Sequence, residues 1–191
     1  SHDEILVRFV LRSKDQLDAF RKITVELRAQ SASVKVVTAN IQPVHQAVLE
    51  GDEEIVLTEN KNIHHRFDDF MLALGPRSFF QVTPEIARQL YQALASQVAL
   101  DQPETLLDLY CGVGAFSFYA AKHCKQVTGI EISKEAIECA RESVKLNGTA
   151  NIDFFAQDAA DYLNTTDRKF EAILVNPPRR GLNETIIAAI L

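Results

Sequence analysis

Short apolar runs alternate with longer helical patterns through the second half of the chain. Between these runs, apolar residues recur at the three- and four-residue steps of a helix. This alternation predicts an α/β fold, with a Rossmann-like, mostly parallel sheet and right-handed crossovers. Such sheets bind ligands at the carboxyl ends of their strands. The four predicted strands are Thr105 to Tyr110, Val127 to Ile132, Ile152 to Ala156 and Phe170 to Val175.

Two of the predicted helices carry clear end signals. Thr83 followed by Pro84 predicts an N-cap and a first helical turn. The apolar face of that helix is expected at Ile86, Leu90, Leu94 and Val98. A second helix is expected to start at Ser133 and to end at Asn147-Gly148, because glycine commonly follows a helix C-terminus.

The first 75 residues predict a small α+β unit. Its strands are expected at Ile5 to Leu11, Val34 to Ile41 and Glu54 to Leu57, with a turn at 50–52. The spacing of Ser13 and Gln16 predicts the start of a helix. The buried stripe of that helix is expected at Leu17, Phe20, Ile23 and Leu27. Composition shifts at Gly75-Pro76, so we expect one domain over residues 1–75 and a second over residues 76–191.

The composition is that of an ordinary globular protein, with 191 residues, 47% hydrophobic and 24% charged. A net charge of −6 argues against a basic surface over the whole molecule, so a nucleic-acid partner would need a local patch. No apolar run approaches the roughly 20 residues of a membrane helix, and we expect a cytoplasmic protein without membrane contact. Cys111, Cys124 and Cys139 lack metal-like spacing and are expected to be free thiols.

The first chemical motif is the stretch from Asp108 to Gly114, a strand that runs into a Gly-x-Gly turn. Gly112 and Gly114 allow the backbone to turn sharply and to approach a ligand without a Cβ atom. Ser117 takes the third small position, so the dinucleotide pattern is only partly met. A tight strand-to-helix turn without a ligand is the alternative interpretation.

The second motif places an acid at the end of the next strand. Glu131 follows Gly112 by 131 − 112 = 19 positions. An acid about 20 residues after the glycine turn accepts hydrogen bonds from ribose hydroxyls, which fits a nicotinamide dinucleotide or S-adenosylmethionine. Asp158, after the third strand, is placed to contact an adenine amino group, and a helix N-cap is an equally good interpretation.

The third motif is Asn176-Pro177-Pro178-Arg179 after the fourth strand. The prolines stiffen the backbone and remove two hydrogen-bond donors beside the Asn176 amide. Among adenosylmethionine-dependent enzymes such an element lines the slot where a planar base meets the methyl group. A plain turn at the strand exit is the alternative.

These motifs together resemble the RNA uracil-5-methyltransferases, in the branch that acts on 23S ribosomal RNA. The resemblance covers nearly the whole chain. It rests on residues 8–13, 40–45, 78–84, 108–114, 129–132 and 175–181. It implies a class I methyltransferase sheet after a substrate-side unit, S-adenosylmethionine as cofactor and a uridine in a 23S rRNA hairpin loop as target. A monomer is expected.

The resemblance also implies roles for single residues. It places Gln81, Tyr110, Glu131 and Asn176 against the methyl donor, with the loop of Gly112 and Gly114 packing beneath. Arg179 and Arg180 are expected to contact RNA phosphate or the base together with Asn176, because guanidinium groups pair well with both.

Parts of the family pattern have no counterpart among these residues. The family's amino-terminal domain holds a four-iron (4Fe-4S) cluster with four cysteines, and its nucleophilic cysteine and general base follow the fourth strand. We therefore expect a fragment that contains no catalytic residue, with the nucleophile beyond Leu191, and that binds the donor without methylating uracil.

Two other functions remain open at this point. One is an amine methyltransferase with an Asn-Pro-Pro element, although such enzymes usually place an aromatic residue where Arg179 stands. The other is a binding module for S-adenosylmethionine without catalysis.

Overall fold

The computed structural model describes residues 4–44, 50–81, 83–179 and 181–190. Two compact units divide the chain. The first comprises residues 1–65 and 73–76, and the second residues 66–72 and 77–191. The boundary at Gly75-Pro76 stays a prediction, because residues 66–72 belong to the second unit and residues 73–76 to the first, so the chain does not divide at a single point.

The first unit is a three-stranded sheet with one helix. Its elements are β1 (Ile5–Leu11), α1 (Leu17–Gln30), β2 (Val34–Ile41) and β3 (Glu53–Val56). β1 pairs with β2 in parallel and β3 pairs with β2 antiparallel, so β2 is central. Its residues Val36 to Asn40 are all fully buried. The predicted strand and helix order is confirmed.

The start of α1 differs from the prediction. Ser13 bonds to Asp15 rather than capping the helix, and Gln16 stands at the N-cap without a side-chain hydrogen bond. The predicted stripe differs at one position: Leu17, Phe20 and Leu27 are half-buried, but Thr24 is buried at 3% exposure while Ile23 is 37% exposed. Thr24 satisfies its hydroxyl by donating to the Phe20 carbonyl, which lets a polar side chain take the buried position.

A hairpin that the sequence analysis did not predict follows the first three strands. β4 (Ile63–Phe67) pairs with β5 (Phe70–Leu74) in a two-stranded sheet. Asp68 stands at its turn in the left-handed region, with φ of +49°. We call residues 66–72 the hairpin tip, and they belong to the second unit.

The second unit is a parallel sheet between helices. Its strands are β6 (Thr105–Leu109), β7 (Gln126–Glu131), β8 (Ile152–Ala156) and β9 (Ala172–Val175), in the order β8-β7-β6-β9. All three pairings are parallel, as predicted. The order reverses between β6 and β9, and open sheets bind ligands at such a point. The helices are α2 (Pro84–Asp101), α3 (Ala115–Ala121), α4 (Lys134–Asn147), α5 (Ala159–Thr165) and α6 (Glu184–Ile190).

The predicted face of α2 is wrong in its first half. Ile86 and Leu90 are 64% and 47% exposed, whereas Ala87 and Tyr91 are buried together with Val98. Tyr91 packs edge-on against Phe116 of α3, with ring centroids 4.6 Å apart. This aromatic contact turns the helix so that the Tyr91 stripe faces inward.

Candidate functional site

A cavity of about 990 Å³ opens at the carboxyl ends of the parallel strands of the second unit. Residues from the turn after β6, the end of β7, the start of α5 and the segment after β9 line it. Seven of the predicted site residues are among them: Gln81, Tyr110, Gly112, Glu131, Asp158, Asn176 and Arg179. The fold therefore brings together side chains that are almost 100 positions apart in sequence.

The other two predicted site residues are Gly114 and Arg180. Gly114 is not among the lining residues of the cavity. Arg180 lies outside the described residues, as do His45 and Val82 of the motifs quoted above. The cavity is therefore lined by every predicted site residue that the structure describes except Gly114.

The turn after β6 contains three residues in the left-handed region. Tyr110, Gly112 and Gly114 have φ of +64°, +56° and +85°. A Cβ atom on Gly112 would meet nothing within 4 Å, so only its backbone angle favours glycine. A Cβ atom on Gly114 would instead collide with the ring of Phe154. The space that a Cβ atom would need at Gly114 is thus taken by a core side chain. The expected packing of a ligand over this glycine stays a prediction.

Tyr110 reaches the left-handed region without the freedom of glycine. This conformation costs a side-chain-bearing residue roughly 1–2 kcal/mol. Strain of this kind is concentrated at functional sites, where the surrounding fold holds it in place. The Tyr110 ring is half-buried and lines the cavity.

Glu131 ties the glycine turn to the helix after β7. Its Oε2 accepts from the Gly112 N–H at 3.3 Å, and its Oε1 accepts from the Ser133 N–H at 2.9 Å. Ser133 in turn caps α4 by accepting from the Ala136 N–H, as predicted. The carboxylate is therefore already oriented by the backbone, and each oxygen retains a lone pair for a ligand.

Asp158 is the N-cap of α5. Its Oδ1 accepts from the N–H groups of Ala160 and Asp161 at 2.8 and 3.2 Å. The helix-cap interpretation is confirmed, while contact with adenine stays a prediction.

The segment after β9 presents an exposed amide. The Asn176 N–H reaches the Leu109 carbonyl at 3.5 Å, at the long end of a hydrogen bond, and Pro177 and Pro178 supply no N–H. Asn176 and Arg179 are both exposed and both line the cavity. A neutral amide and a cation therefore face solvent at this side of the cavity.

A buried acid lies in β6, two residues before Tyr110 of the cavity lining. Asp108 is fully buried in β6; its Oδ2 accepts from the Ser117 hydroxyl at 2.6 Å, and its Oδ1 has no hydrogen-bond partner among the described residues. Burial raises the pKa of Asp108 to about 7, and the negative charge of Glu131 adds to the rise. The sequence pattern marked Asp108 only as the first residue of the Gly-x-Gly motif and did not predict its burial.

Cys111 also lines the cavity but is unsuited to act as a nucleophile. It is 7% exposed, and burial raises the pKa of its thiol well above the ordinary value, with further contributions from the charges of Asp108 and Glu131. A thiolate is therefore disfavoured at neutral pH. Cys124 and Cys139 are buried too, and all three are free thiols, as predicted.

The sequence analysis missed most of the apolar lining. Phe79 and Ile132 are 74% and 67% exposed beside the cavity, and Phe80 and Tyr91 form part of its wall. Two consecutive phenylalanines before a helix, and an apolar residue directly after Glu131, were the available signals. Leu182, Asn183 and Ile186 close the side next to α6.

The residues that the structure describes offer neither a metal centre nor a membrane helix. They contain no group of three or more histidine, cysteine or acidic side chains arranged to hold a metal ion. None of their helices combines the length and apolarity that a membrane crossing needs.

The comparison with protein families is decisive for the second unit. Residues 87–190 match the family model described as Methyltransferase small domain. The chain belongs to this methyltransferase family. The matched residues include all four strands of the parallel sheet.

The curated relatives of this family member are RNA methyltransferases. A protein of Shewanella sp. (strain W3-18-1) is 44% identical over 190 residues, which are 98% of this chain and 49% of the relative. A protein of Shewanella sp. (strain ANA-3) is 45% identical over 185 residues, 96% of this chain and 48% of the relative. Both are named 23S rRNA (uracil(747)-C(5))-methyltransferase RlmC, which confirms the predicted resemblance. The chain spans about half the length of these relatives.

Solved structures support the same fold. A tRNA (uracil-54, C5)-methyltransferase of Pyrococcus abyssi, in complex with S-adenosyl-L-homocysteine, superposes with a TM-score of 0.72 at 26% identity, covering 98% of this chain and 43% of its own. Trm5b of the same organism superposes with a TM-score of 0.57 at 20% identity, covering 93% of this chain and 51% of its own, and shows the fold alone. The predicted Rossmann-like methyltransferase fold is confirmed.

Proposed function

We propose that this chain is the donor-binding part of an enzyme that transfers a methyl group from S-adenosyl-L-methionine to carbon 5 of a uridine in 23S ribosomal RNA. The observation that carries the proposal is the cavity, which is lined by seven predicted site residues, six of them from the family motifs. The names of the curated relatives support the choice of RNA. A ribosomal substrate places the enzyme in the cytoplasm, and we expect a monomer.

The cavity fits the methyl donor in size and chemistry. Its volume of about 990 Å³ lies at the upper end of the 300–1,000 Å³ typical of small-molecule sites, which leaves room for a base beside the donor. We place the ribose hydroxyls on Glu131, which the backbone already orients. The adenine amino group would reach Oδ2 of Asp158, because Oδ1 holds the start of α5.

The remaining donor contacts fall to the other predicted residues. Gln81, Tyr110 and Asn176 would hold the methionine part, with Gly112 in the turn beneath. Gly114 would contribute indirectly, by letting the turn pack on Phe154. The donor supplies an electrophilic methyl group, and these residues hold it beside the side of the cavity that admits the base.

We place the RNA on the side of the cavity where Asn176 and Arg179 are exposed. The target uridine would have to turn out of its hairpin loop to enter, as is general for enzymes that act on bases. The Arg179 guanidinium would pair with phosphate or with the base, and Arg180 is proposed for the same role.

The chemistry asks for a nucleophile that these residues do not offer. Carbon 5 of uracil is a poor nucleophile, so a thiolate must first add at carbon 6. The resulting enolate attacks the methyl group through carbon 5 and releases S-adenosyl-L-homocysteine; a base then removes the carbon-5 proton as the thiolate leaves. Cys111 is disfavoured as a thiolate, and Cys124 and Cys139 do not line the cavity. We therefore propose that a longer protein supplies the nucleophile, the base and the domain with the four-iron cluster.

Two measurements on the 191-residue chain test the proposal. Calorimetric titration should show binding of S-adenosyl-L-homocysteine. Incubation with radiolabelled S-adenosylmethionine and a 23S rRNA hairpin should transfer no label. The absence of binding would remove the donor site, and measured transfer would show that the chain contains its own nucleophile.

A further inference from the structure

Phe67 of the hairpin tip supports the cavity wall from behind. It is 3% exposed and lies edge-on to Phe80 and Tyr91, with ring centroids 5.3 and 5.5 Å apart. Phe80 and Tyr91 line the cavity, whereas Phe67 is not among the lining residues. Any shift of Phe67 therefore reaches the cavity through these two rings.

Asp68 fixes the position of Phe67. Its Oδ1 accepts from Arg88 Nε at 2.7 Å, and its Oδ2 accepts from the Tyr119 hydroxyl. The Arg88 guanidinium also lies over the Phe67 ring, 5.6 Å from its centroid. One carboxylate thus joins the hairpin tip to α2 and α3, the two helices that carry Tyr91 and Phe116 of the cavity wall.

The protonation states of this pair favour the contact at neutral pH. The hydrogen bonds from Tyr119 and Arg88 hold the pKa of Asp68 below its usual value. Burial, together with the Asp68 carboxylate, raises the pKa of the Tyr119 hydroxyl. Asp68 is therefore an anionic acceptor and Tyr119 a neutral donor over the whole physiological range.

The rest of the hairpin tip is anchored to the helices around it. The Asn147 side chain of α4 accepts from the Met71 N–H at 2.8 Å and donates to the Met71 carbonyl at 2.7 Å. Phe70 packs against Phe118 and Tyr119 with centroids 5.4 and 5.3 Å apart. With contacts to α2, α3 and α4, the tip is held firmly enough to position what lies on it.

We propose that Phe67 and Asp68 are positioning residues for the donor site, which hold Phe80 and the adjoining Gln81 against the bound donor. The inference rests on the proposed function, since it needs the donor in this cavity. Glu131 and Asp158, proposed for the ribose and adenine, lie at the end of β7 and just after β8, where backbone N–H groups of the glycine turn and of the starts of α4 and α5 orient them. The hairpin tip should therefore affect the methionine part of the donor and spare the adenosine part.

Two ligands separate this role from a general loss of structure. Affinities for S-adenosyl-L-homocysteine and for adenosine are measured by calorimetry on the 191-residue chain with Asp68→Asn and with Phe67→Leu. We expect S-adenosyl-L-homocysteine to bind about tenfold more weakly in each variant, and adenosine to change by less than about twofold. Asp69→Asn is the matched control, because Asp69 is the exposed neighbour that pairs with Lys122 at 2.7 Å and neither residue lines the cavity.

The outcomes are distinct. Equal losses for both ligands, or no loss for either, would overturn the positioning role while leaving the donor site intact. A wild-type chain that binds neither ligand would overturn the proposed function and this inference with it. If Asp68→Asn does not fold, Tyr119→Phe removes one of the two hydrogen bonds and keeps the ring, and the same selective loss is expected from it.

Discussion

Replacing Glu131 by alanine separates two roles of one carboxylate. In the structure its oxygens accept from the N–H groups of Gly112 and Ser133 at 3.3 and 2.9 Å. Both bonds are only part-buried, so the freed N–H groups would turn to water. We expect the ligand-free variant to lose about 1–2 kcal/mol of unfolding free energy, at the low end for bonds to a charged acceptor.

The same substitution removes the two proposed ribose hydrogen bonds. Their loss should weaken S-adenosyl-L-homocysteine by about 2–3 kcal/mol, which corresponds to roughly 30- to 150-fold in Kd. Guanidinium unfolding without ligand measures the first effect, and calorimetric titration on the folded variant measures the second. Glu138→Ala is the matched control, because Glu138 is an exposed acid on α4 that does not line the cavity.

The two measurements can disagree in an informative way. A variant that loses stability but binds S-adenosyl-L-homocysteine as tightly as the wild type would refute the placement of the ribose on Glu131. The hydrogen bonds to Gly112 and Ser133 would then be its whole role.

Three further predictions concern stability. Gly114→Ala should lose about 2–4 kcal/mol of unfolding free energy, because its φ is left-handed and the new methyl group would overpack against Phe154. Gly148→Ala should lose about 1 kcal/mol, because φ is +61° there but no neighbour lies within 4 Å of the added Cβ atom. Urea titration of both variants measures the difference. Burial raises the pKa of Asp108 from its ordinary value of 3.8 to about 7, so the folded chain holds a proton that the unfolded chain releases in this window. The unfolding free energy should therefore fall as pH rises from about 4 to 7. In Asp108→Asn this dependence of stability on pH should vanish, and an unchanged pH profile would contradict the raised pKa of Asp108. Equal losses from the two glycine variants would contradict the overpacking against Phe154.

Signals that depend on one residue and its neighbours were predicted correctly. Ser133 caps α4 through its hydroxyl, and Gly148 ends the same helix in the left-handed region. Caps involve atoms within about four residues of each other, so the chain needs no tertiary context to choose them. There are two exceptions. The Ser13 hydroxyl bonds to Asp15 instead, and Thr83 stands at the N-cap of α2 without a side-chain hydrogen bond.

The face of α2 shows where periodicity fails. The helix carries two neighbouring apolar stripes, one through Ile86 and Leu90 and one through Ala87 and Tyr91. Both satisfy the helical period, so the sequence pattern cannot rank them. The aromatic rings of Phe67 and Phe116, from residues 20 or more positions away, select the Tyr91 stripe.

The hairpin of β4 and β5 was missed for a related reason. Its first strand contains His64, His65 and Arg66, which interrupt the apolar alternation that predicts a strand. The tip is held by groups far along the chain, such as Asn147, which bonds to Met71 from 76 positions away. Such partners become visible only in the folded molecule.

The sequence by itself determined the alternation of strands and helices and the ends of α4, because those features depend on spacing along the chain. The chemical roles of the residues after each strand stay predictions. Only the tertiary structure decided which of these side chains share a cavity, that Phe154 fills the space beside Gly114, and that Phe67 and Asp68 lie behind the cavity wall. These contacts join residues from separate elements, and their energy comes from packing and burial that no local pattern encodes.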